Sequence, residues 1–528
     1  MAFELEALLA VTALAAVVVL AAPDEYAERL ALLGSLVPLV GSLYLWSGFD
    51  GSGNALLADG ELAYETTATW IHLGDLYTLN WHVGLDGVSM PLVVLTTFLT
   101  SAAILSAWTP IDERQSQFYG LMLFMEASLL GVFVALDFFL WFVFWEFVLV
   151  PMYFLIGVWG GPRRRYAAIK FFVYTNVASL VMFVGFVALV FALPVETLDL
   201  PTVAQSLRAG ELGSLAGVHP STLKGLAFLA MFAGFAVKVP VVPVHTWLPD
   251  AHVEAPTPAS VMLAGVLLKM GTYALLRFNF TMLPDVAAEH AELIAAIAVL
   301  SVLYGAMLAL AQQDLKRIVA YSSISSMGYV LLGLVAFTTY GLGGATFQMV
   351  SHGLISGLMF MCVGVIYNTT HTRMVGDLSG IADRMPVTAA VFVAAAFGYM
   401  GLPLMSGFAG EFFVFLGAFQ STTLASAPLY TGVAMFGIVV VAGYLLWAMQ
   451  RALFGPFFSA EDYDVVPAAR HDVLPLVVVL LAVVALGVAP ELFYDAIQDA
   501  VVDLTRGGTA AAVGGALGLL VAVPGGED

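Results

Sequence analysis

Apolar stretches of about twenty residues, the length an α-helix needs to cross a hydrocarbon layer, follow one another along almost the whole chain. That recurrence leaves one class of fold open, an all-α polytopic membrane protein. Composition agrees: of 528 residues 61% are hydrophobic and only 11% charged, too few polar groups to coat a soluble core of this size. The single cysteine, Cys362, lies inside an apolar run, so disulfides, iron–sulfur ligation and cysteine-based metal sites within one chain are excluded. A formal charge of −20 argues against nucleic acid as a partner and suits a surface hydrated in high salt. There is no phosphate loop and no dinucleotide or flavin fingerprint, so no cofactor is expected in this chain. The opening run carries Glu4 and Glu6 where a signal peptide would be basic, and is read as a retained first span.

The runs predict about fourteen transmembrane helices, at 5–22, 30–48, 85–108, 117–136, 137–159, 167–194, 223–243, 256–278, 287–312, 315–338, 343–369, 386–418, 428–455 and 472–493. The longest polar stretches are 49–84 and 195–222; a short Gly/Ala-rich run near the C-terminus is not counted as a span. With the N-terminus outside, the odd-numbered connections hold Arg29, Arg114, Arg163, Arg164, Arg165, Lys316, Arg317, Arg373, Arg384, Arg451 and Arg470. The other side holds Arg208, Lys224 and Arg506, with Arg277 at its edge. This asymmetry obeys the positive-inside rule and sets the expected orientation.

Two apolar segments are interrupted by proline: AGFAVKVPVVPVHTWLPD at 233–250 and AAFGYMGLPLMSGFAGEF at 395–412. Proline is common in membrane helices, but each break here has a charged residue beside it. Paired breaks in corresponding positions of two halves are the mark of an inverted-repeat transporter. The expected organisation is therefore helices 1–3 with an external loop (1–116), a first repeat (117–278), a second repeat (287–455), and a last helix with a tail (456–528).

Four charges fall inside apolar sequence: Glu146, Lys238, Lys269 and Glu411. Each would cost about 2.5–3.5 kcal/mol at the bilayer centre, so each is expected to face protein or a water path. One such residue can be a structural ion pair; two acids and two amines together point to proton transfer. A carboxylate beside a buried lysine holds its ammonium. At an effective dielectric of 20, drawing the two from roughly 4 to 8 Å apart gives up about 2 kcal/mol, enough to release the proton. His245, just after the first break, and His352, between apolar spans, suit a relay because imidazole titrates near neutrality. His252 is open to either reading, as is Lys170, which can snorkel from the Arg163–Arg165 cluster. Asp137 reads as a helix start, where a carboxylate meets the positive helix end. Glu126 is also acidic within apolar sequence. A zinc site from His245, His252 and Glu254 is disfavoured by the adjacent prolines and the absence of HExxH spacing.

The stretches LDFFLWFVFWEFVLVPMYFLIGVWGG, KVPVVPVHTWLPDAHVEAPTPASVMLAGVLLKMGTYALLRF, AQQDLKRIVAYSSISSMGYV and GLPLMSGFAGEF closely resemble the subunit M (chain 4) family of proton-pumping NADH–quinone oxidoreductase, complex I, over about residues 70–455. The resemblance implies a fourteen-helix antiporter-like fold with two inverted five-helix repeats and one proton channel. It implies a pair Glu146–Lys238 in the uptake half, Lys269 at the centre, Glu411 as the exit-side acid, and His245 and His352 on the polar axis between them. It further implies a translocase subunit without a redox site of its own, in a prokaryotic cell membrane. Its partners would be the lipid bilayer and other membrane subunits, including sister antiporter-like chains. One departure is visible: where the family often has histidine, YSSISSMG has Ser326, which can hold a hydrogen bond or a water but cannot store a proton. Two related assemblies remain open, a multisubunit cation/proton antiporter and a membrane-bound hydrogenase-type complex. Glu411 separates the antiporter from complex I, since antiporter-like relatives typically carry lysine there.

Overall fold

The structure, a computed structural model, describes residues 4–51, 53–57, 62–74, 77–459 and 468–520, with backbone alone for 459 and 506–520. Among the described residues, thirteen helices are long and apolar enough to cross a membrane. They are α1 (Glu4–Ala21), α2 (Asp24–Ser47), α3 (Ser89–Ser106), α4 (Gln115–Val134), the pair α5 (Phe138–Phe147) and α6 (Leu149–Trp159) running on as one span, and α7 (Arg164–Val190). After a short surface helix α8 (Leu200–Arg208) come α9 (Pro220–Lys238) and α10 (Trp247–Glu254), of which α9 is a span. Next are α11 (Thr257–Thr281), α12 (Ala291–Leu310), α13 (Leu315–Val335) and α14 (Thr339–Thr370). Two shorter apolar helices, α15 (Pro386–Tyr399) and α16 (Ser406–Phe419), share the expected twelfth segment. The spans α17 (Ala427–Ala452) and α18 (Arg470–Val488) follow, and then α19 (Glu491–Leu520). The tail beyond Leu520 lies outside the described residues.

Both expected breaks are present. The first runs from Val239 to Thr246, and the groups it frees are satisfied by neighbours: the Trp247 indole donates to the Val237 carbonyl at 2.9 Å, and the Val242 amide donates to Ser301 Oγ on α12 at 3.0 Å. The second, Met400–Met405, is closed by local turns, with the Leu402 amide donating to the Phe397 carbonyl at 3.1 Å. A third irregularity was not foreseen. Within α11, Leu263–Leu267 and Leu275–Thr281 are wound as π-helix on either side of the turn that carries Lys269.

Burial sorts the helices into layers. The most hydrophobic windows of α11 and α14 are entirely buried, and those of α13 and α3 nearly so; α1, α2 and α18 bury only about a third of theirs and form the rim. The inner helices are thus shielded from lipid by a protein coat, the arrangement a polar centre requires.

The polar stretch 49–84 contains the one element the helical pattern hides. Strands β1 (Ala63–Leu73) and β2 (Tyr77–Leu85) pair antiparallel, from Ala63 opposite Leu85 to Leu73 opposite Tyr77. The run AYETTATWIHL is rich in β-branched and aromatic residues, the composition a strand favours. Two polar clusters fix this hairpin to the helices. Asp86 accepts from the amides of Ala55, Val88 and Ser89 and pairs with Arg277 at 2.5 Å; Arg277 also donates to Asn54 at 2.7 Å, and both charges are buried. Asp137, as expected, caps α5 by accepting from Phe139 and Leu140, and it also takes the amide of Asn80 on β2.

The second cluster centres on His82, whose Nδ1 meets Asp199 at 2.5 Å and whose Nε2 meets Glu65 at 3.0 Å. Burial disfavours the imidazolium, but the bonds to Asp199 and Glu65 outweigh it and raise the His82 pKa. Burial likewise opposes ionisation of Asp199, and the bond to His82 wins, so that carboxyl is lowered. A raised histidine contributes stability that is complete below its ordinary pKa of about 6.5 and is lost as pH climbs through the raised value. A lowered aspartate contributes above about 3.9 and loses its part as pH falls through the lowered value. The clasp is therefore complete between about pH 4 and 6.5 and loosens on the alkaline side. Hydrogen exchange of the β1–β2 amides, corrected for intrinsic rates, is expected to show more protection at pH 6 than at pH 9. His82→Gln should abolish that difference, and a difference that survives the substitution would reject the clasp.

Candidate functional site

The four intramembrane charges and two histidines all lie at helix breaks or on the inner helices. Glu146 is the penultimate residue of α5, half-buried, and its Oε2 accepts from Asn176 Nδ2 on α7 at 3.1 Å while Oε1 has no partner. Lys238 ends α9 at the first break, where the chain stops being able to cover its own carbonyls. It is buried, and its Nζ stands 5.0 Å over the ring of Trp145, the residue before Glu146. Glu146 and Lys238 are within electrostatic reach of one another, but no ion pair joins them here. His245 sits inside the break, buried, with Nδ1 unpartnered and its ring edge on Tyr304.

Lys269 lies on the short α-helical turn between the two π-helical stretches of α11 and is fully buried. The wider winding leaves the Ala264 carbonyl free to accept from Nζ at 2.5 Å. The second partner is His352 Nδ1 on α14, at 2.7 Å. Either group can be the donor at that contact: an ammonium donating to neutral imidazole and an imidazole donating to neutral amine have the same heavy-atom geometry. His352 Nε2 has no partner, and the ring's edge meets Tyr399 of α15.

Such a contact needs α11 and α14 to approach closely, and two glycines allow it. A Cβ on Gly353 would stand 2.7 Å from the Gly265 carbonyl oxygen, so no side chain fits there; a Cβ on Gly265 would stand 3.5 Å from the Gly353 carbonyl and meet only a Leu99 methyl at 2.6 Å.

Glu411, on α16 past the second break, is buried, with Oε2 unpartnered and no ion pair among the described residues. Its carboxylate occupies the space beside Gly401, which has φ +62° and whose missing side chain leaves that space open. Gln348, one turn before His352 on α14, brings its Oε1 against Gly410, so the histidine and the acid share a polar seam; Ser351 and Ser406 hydroxyls join the same two helices at 2.9 Å. Ser326 is buried on α13.

The structure brings Lys269 together with His352, sets Glu146 near Lys238, and places Glu411 beside the seam that leads from His352. Sequence reasoning passed over Gln348 and Asn176, polar residues whose only signal is their place one turn from, or facing, a charge inside apolar sequence. Lys170, left open by the sequence, pairs with Asp250 at 2.7 Å. Glu126 is completely buried, with neither oxygen partnered. No group of three or more His, Cys, Asp or Glu among the described residues is placed to hold a metal ion.

The α11–α14 crossing can be tested by glycine substitution. Alanine gains about 1 kcal/mol of helix propensity at either site, but overpacking costs about 1–3 kcal/mol. Gly353→Ala meets rigid backbone and is expected to lower the melting temperature and slow proton transfer. Gly265→Ala meets a flexible methyl and should be near neutral. Thermal unfolding of the purified complex and dye-reported pumping check both; the reverse ranking would mean the crossing is looser than described.

Comparison with known proteins bears on what this site is for. Residues 135–437 match the family described as NADH:quinone oxidoreductase/Mrp antiporter, TM. The NADH-quinone oxidoreductase subunit M of Rhodobacter capsulatus is 40% identical over 92% of this chain and 91% of its own length. The F(420)H(2) dehydrogenase subunit M of Methanosarcina mazei is 39% identical over 92% and 94%. Among solved structures, a chain of respiratory complex I from Thermus thermophilus superposes with a TM-score of 0.82 at 27% identity, covering 95% of this chain and 99% of that one. A chain of the Mrp complex from a Dietzia species has the same fold, with a TM-score of 0.80 at 20% identity over 96% and 98%. The chain belongs to the NADH:quinone oxidoreductase/Mrp antiporter transmembrane family, on the branch of the complex I M (chain 4) subunits.

Proposed function

We propose that this proton-translocating membrane subunit works in a quinone-reducing respiratory complex through a relay from Glu146 and Lys238, past His245, to Lys269 with His352, and on to Glu411. The single observation that carries the reading is the Lys269–His352 contact of 2.7 Å between two helices buried along their length. A shared proton there can leave in either direction at small cost. The open Glu146–Lys238 geometry supports the first step, because closing or opening that pair changes the hold on the lysine proton by about 2 kcal/mol. That is comparable with the 2.3 kcal/mol per 100 mV needed to move a charge against the membrane potential.

In this reading the arginine-rich face is cytoplasmic by the positive-inside rule, which puts the N-terminus outside and the protein in the cell membrane. Helices α15 and α16 count as one broken crossing, giving fourteen spans. The 117–278 and 287–455 segments are the two repeats, each with a break beside a charge. Electron transfer falls to partner subunits. The relatives, at matched similarity, are named for different electron donors, NADH and F(420)H(2), so the donor is a property of those partners.

In proteoliposomes of the whole complex, Lys269→Ala is expected to abolish pumping. Lys269→Arg should impair it at least tenfold, because a guanidinium cannot release a proton in this range. Normal pumping by the arginine variant would make Lys269 a fixed charge and end the relay. Glu411→Gln keeps the shape and removes the proton site. It should assemble and pump poorly, while Glu411→Asp keeps partial activity. A silent glutamine variant would leave Glu411 as a packing residue.

A further inference from the structure

The His82 clasp is joined by hydrogen bonds to the helix that carries Glu146. The residues just before α5 are extended and lie between β2 and the segment that leads into α8. The Leu136 amide donates to the His82 carbonyl at 2.8 Å, the Phe138 amide to the Leu198 carbonyl at 2.9 Å, and the Leu200 amide to the Leu136 carbonyl at 2.8 Å. On the same ladder the Asn80 amide donates to Asp137 at 3.0 Å and the Thr78 amide to the Glu196 carbonyl at 2.8 Å. The side-chain contact of His82 with Asp199 therefore closes a ladder that ties β2, the lead-in to α5 and the lead-in to α8 together. Helix α5 is ten residues long, fastened to this ladder at Phe138, with Glu146 about 13 Å further along its axis. So short a helix moves as a unit, and where the ladder holds Phe138 sets where Glu146 and its neighbour Trp145, under the Lys238 ammonium, stand.

The charges around the clasp make it depend on one proton. Both nitrogens of His82 meet carboxylates, Asp199 on one side and Glu65 of β1 on the other, while Asp137 and Glu196 stand on the same ladder. Neither 49–84 nor 195–202 contains Lys or Arg, so the imidazolium is the cation these acids face; His72, further along β1 opposite Thr78, is exposed. His82 lines a cavity of about 480 Å³ together with Thr67, Thr78, Asn80, Glu196 and Asp199, a polar route by which protons reach the ring. Lost as a cation, His82 leaves acids gathered on one ladder with no positive charge among them.

We propose that His82 is a positioning residue for Glu146: as the imidazolium it closes the ladder and holds α5 where the Glu146–Lys238 step runs, and as the neutral ring it lets the ladder loosen and that step lose its geometry. The proton involved goes to and from water on the face opposite the arginines and is not one of those translocated. The inference rests on the function proposed above and gives it a dependence on the pH of that face. The sign follows from the clasp: complete on the acid side, it is lost as pH climbs through the raised value of His82.

The test uses the whole complex in proteoliposomes with the arginine-rich face outward and the outer pH fixed. The lumen is set between about pH 6 and 9, on either side of the imidazole range, and a lumenal dye reads the initial proton-to-electron ratio. The ratio is expected to fall at least twofold towards the alkaline end. A bare gradient acts the other way, because an alkaline lumen lowers the work of delivering each proton. His82→Gln should give a low ratio without the fall, and His82→Arg, cationic throughout, a high ratio without it; His72→Gln should keep the fall. A ratio that does not fall in the unsubstituted complex, a fall that survives His82→Gln, or hairpin amides that lose exchange protection at pH 9 while the ratio holds would each overturn the inference. Lys238→Met separates the two claims: if it pumps normally, the proposed function itself fails, whereas loss of pumping there beside a flat lumenal pH profile rejects the role of His82 alone.

Discussion

Inside hydrocarbon a backbone carbonyl or an ammonium group without a partner costs several kcal/mol, and the architecture around Lys269 is organised by that cost. The ammonium needs acceptors: the Ala264 carbonyl, in the π-helical stretch of α11, supplies one and His352 the second. That solution requires α14 at glycine contact, the apolar middles of α11 and α14 buried in protein, and a rim of partly exposed helices to surround them. The most deeply placed helices are therefore the ones that hold the Lys269–His352 contact.

The same cost explains why charges sit at the helix interruptions. Lys238 stands at the last residue before one break and Glu411 just past the other. Each break frees backbone groups that must be satisfied by side chains such as Trp247 and Ser301, and the resulting polar pocket is where a side-chain charge can be kept. Neither Lys238 nor Glu411 is neutralised by a salt bridge. A firm ion pair would trap the proton; an ammonium over an indole and a carboxylate beside Gly401 can both change protonation state. By contrast, the ion pairs that are tight, Asp86–Arg277 and the His82–Asp199 contact, hold the hairpin and loops to the helix ends.

Much of the fold was legible in the chain because membrane helices are written in local composition: length, hydropathy and the arginine asymmetry are properties of consecutive residues. The two proline breaks were legible for the same reason. The hairpin was not, because its alternation lies in a polar stretch where span-length reasoning has nothing to measure. Nor were the π-helical turns of α11, which no turn or proline signal in the sequence marks.

For the site, the sequence by itself marked which acids and amines stand inside apolar runs, where each is costly. Glu146, Lys238, Lys269 and Glu411 stand out without any neighbour being known. Only the tertiary structure decided who meets whom. Lys269 and His352 are 83 residues apart and touch; Glu146 and Lys238 lie within electrostatic reach without an ion pair, the lysine resting over Trp145. Lys170 found Asp250, 80 residues away. Hydropathy is additive along the chain, whereas proton transfer depends on gaps of a few tenths of an ångström between helices, and those are set by packing.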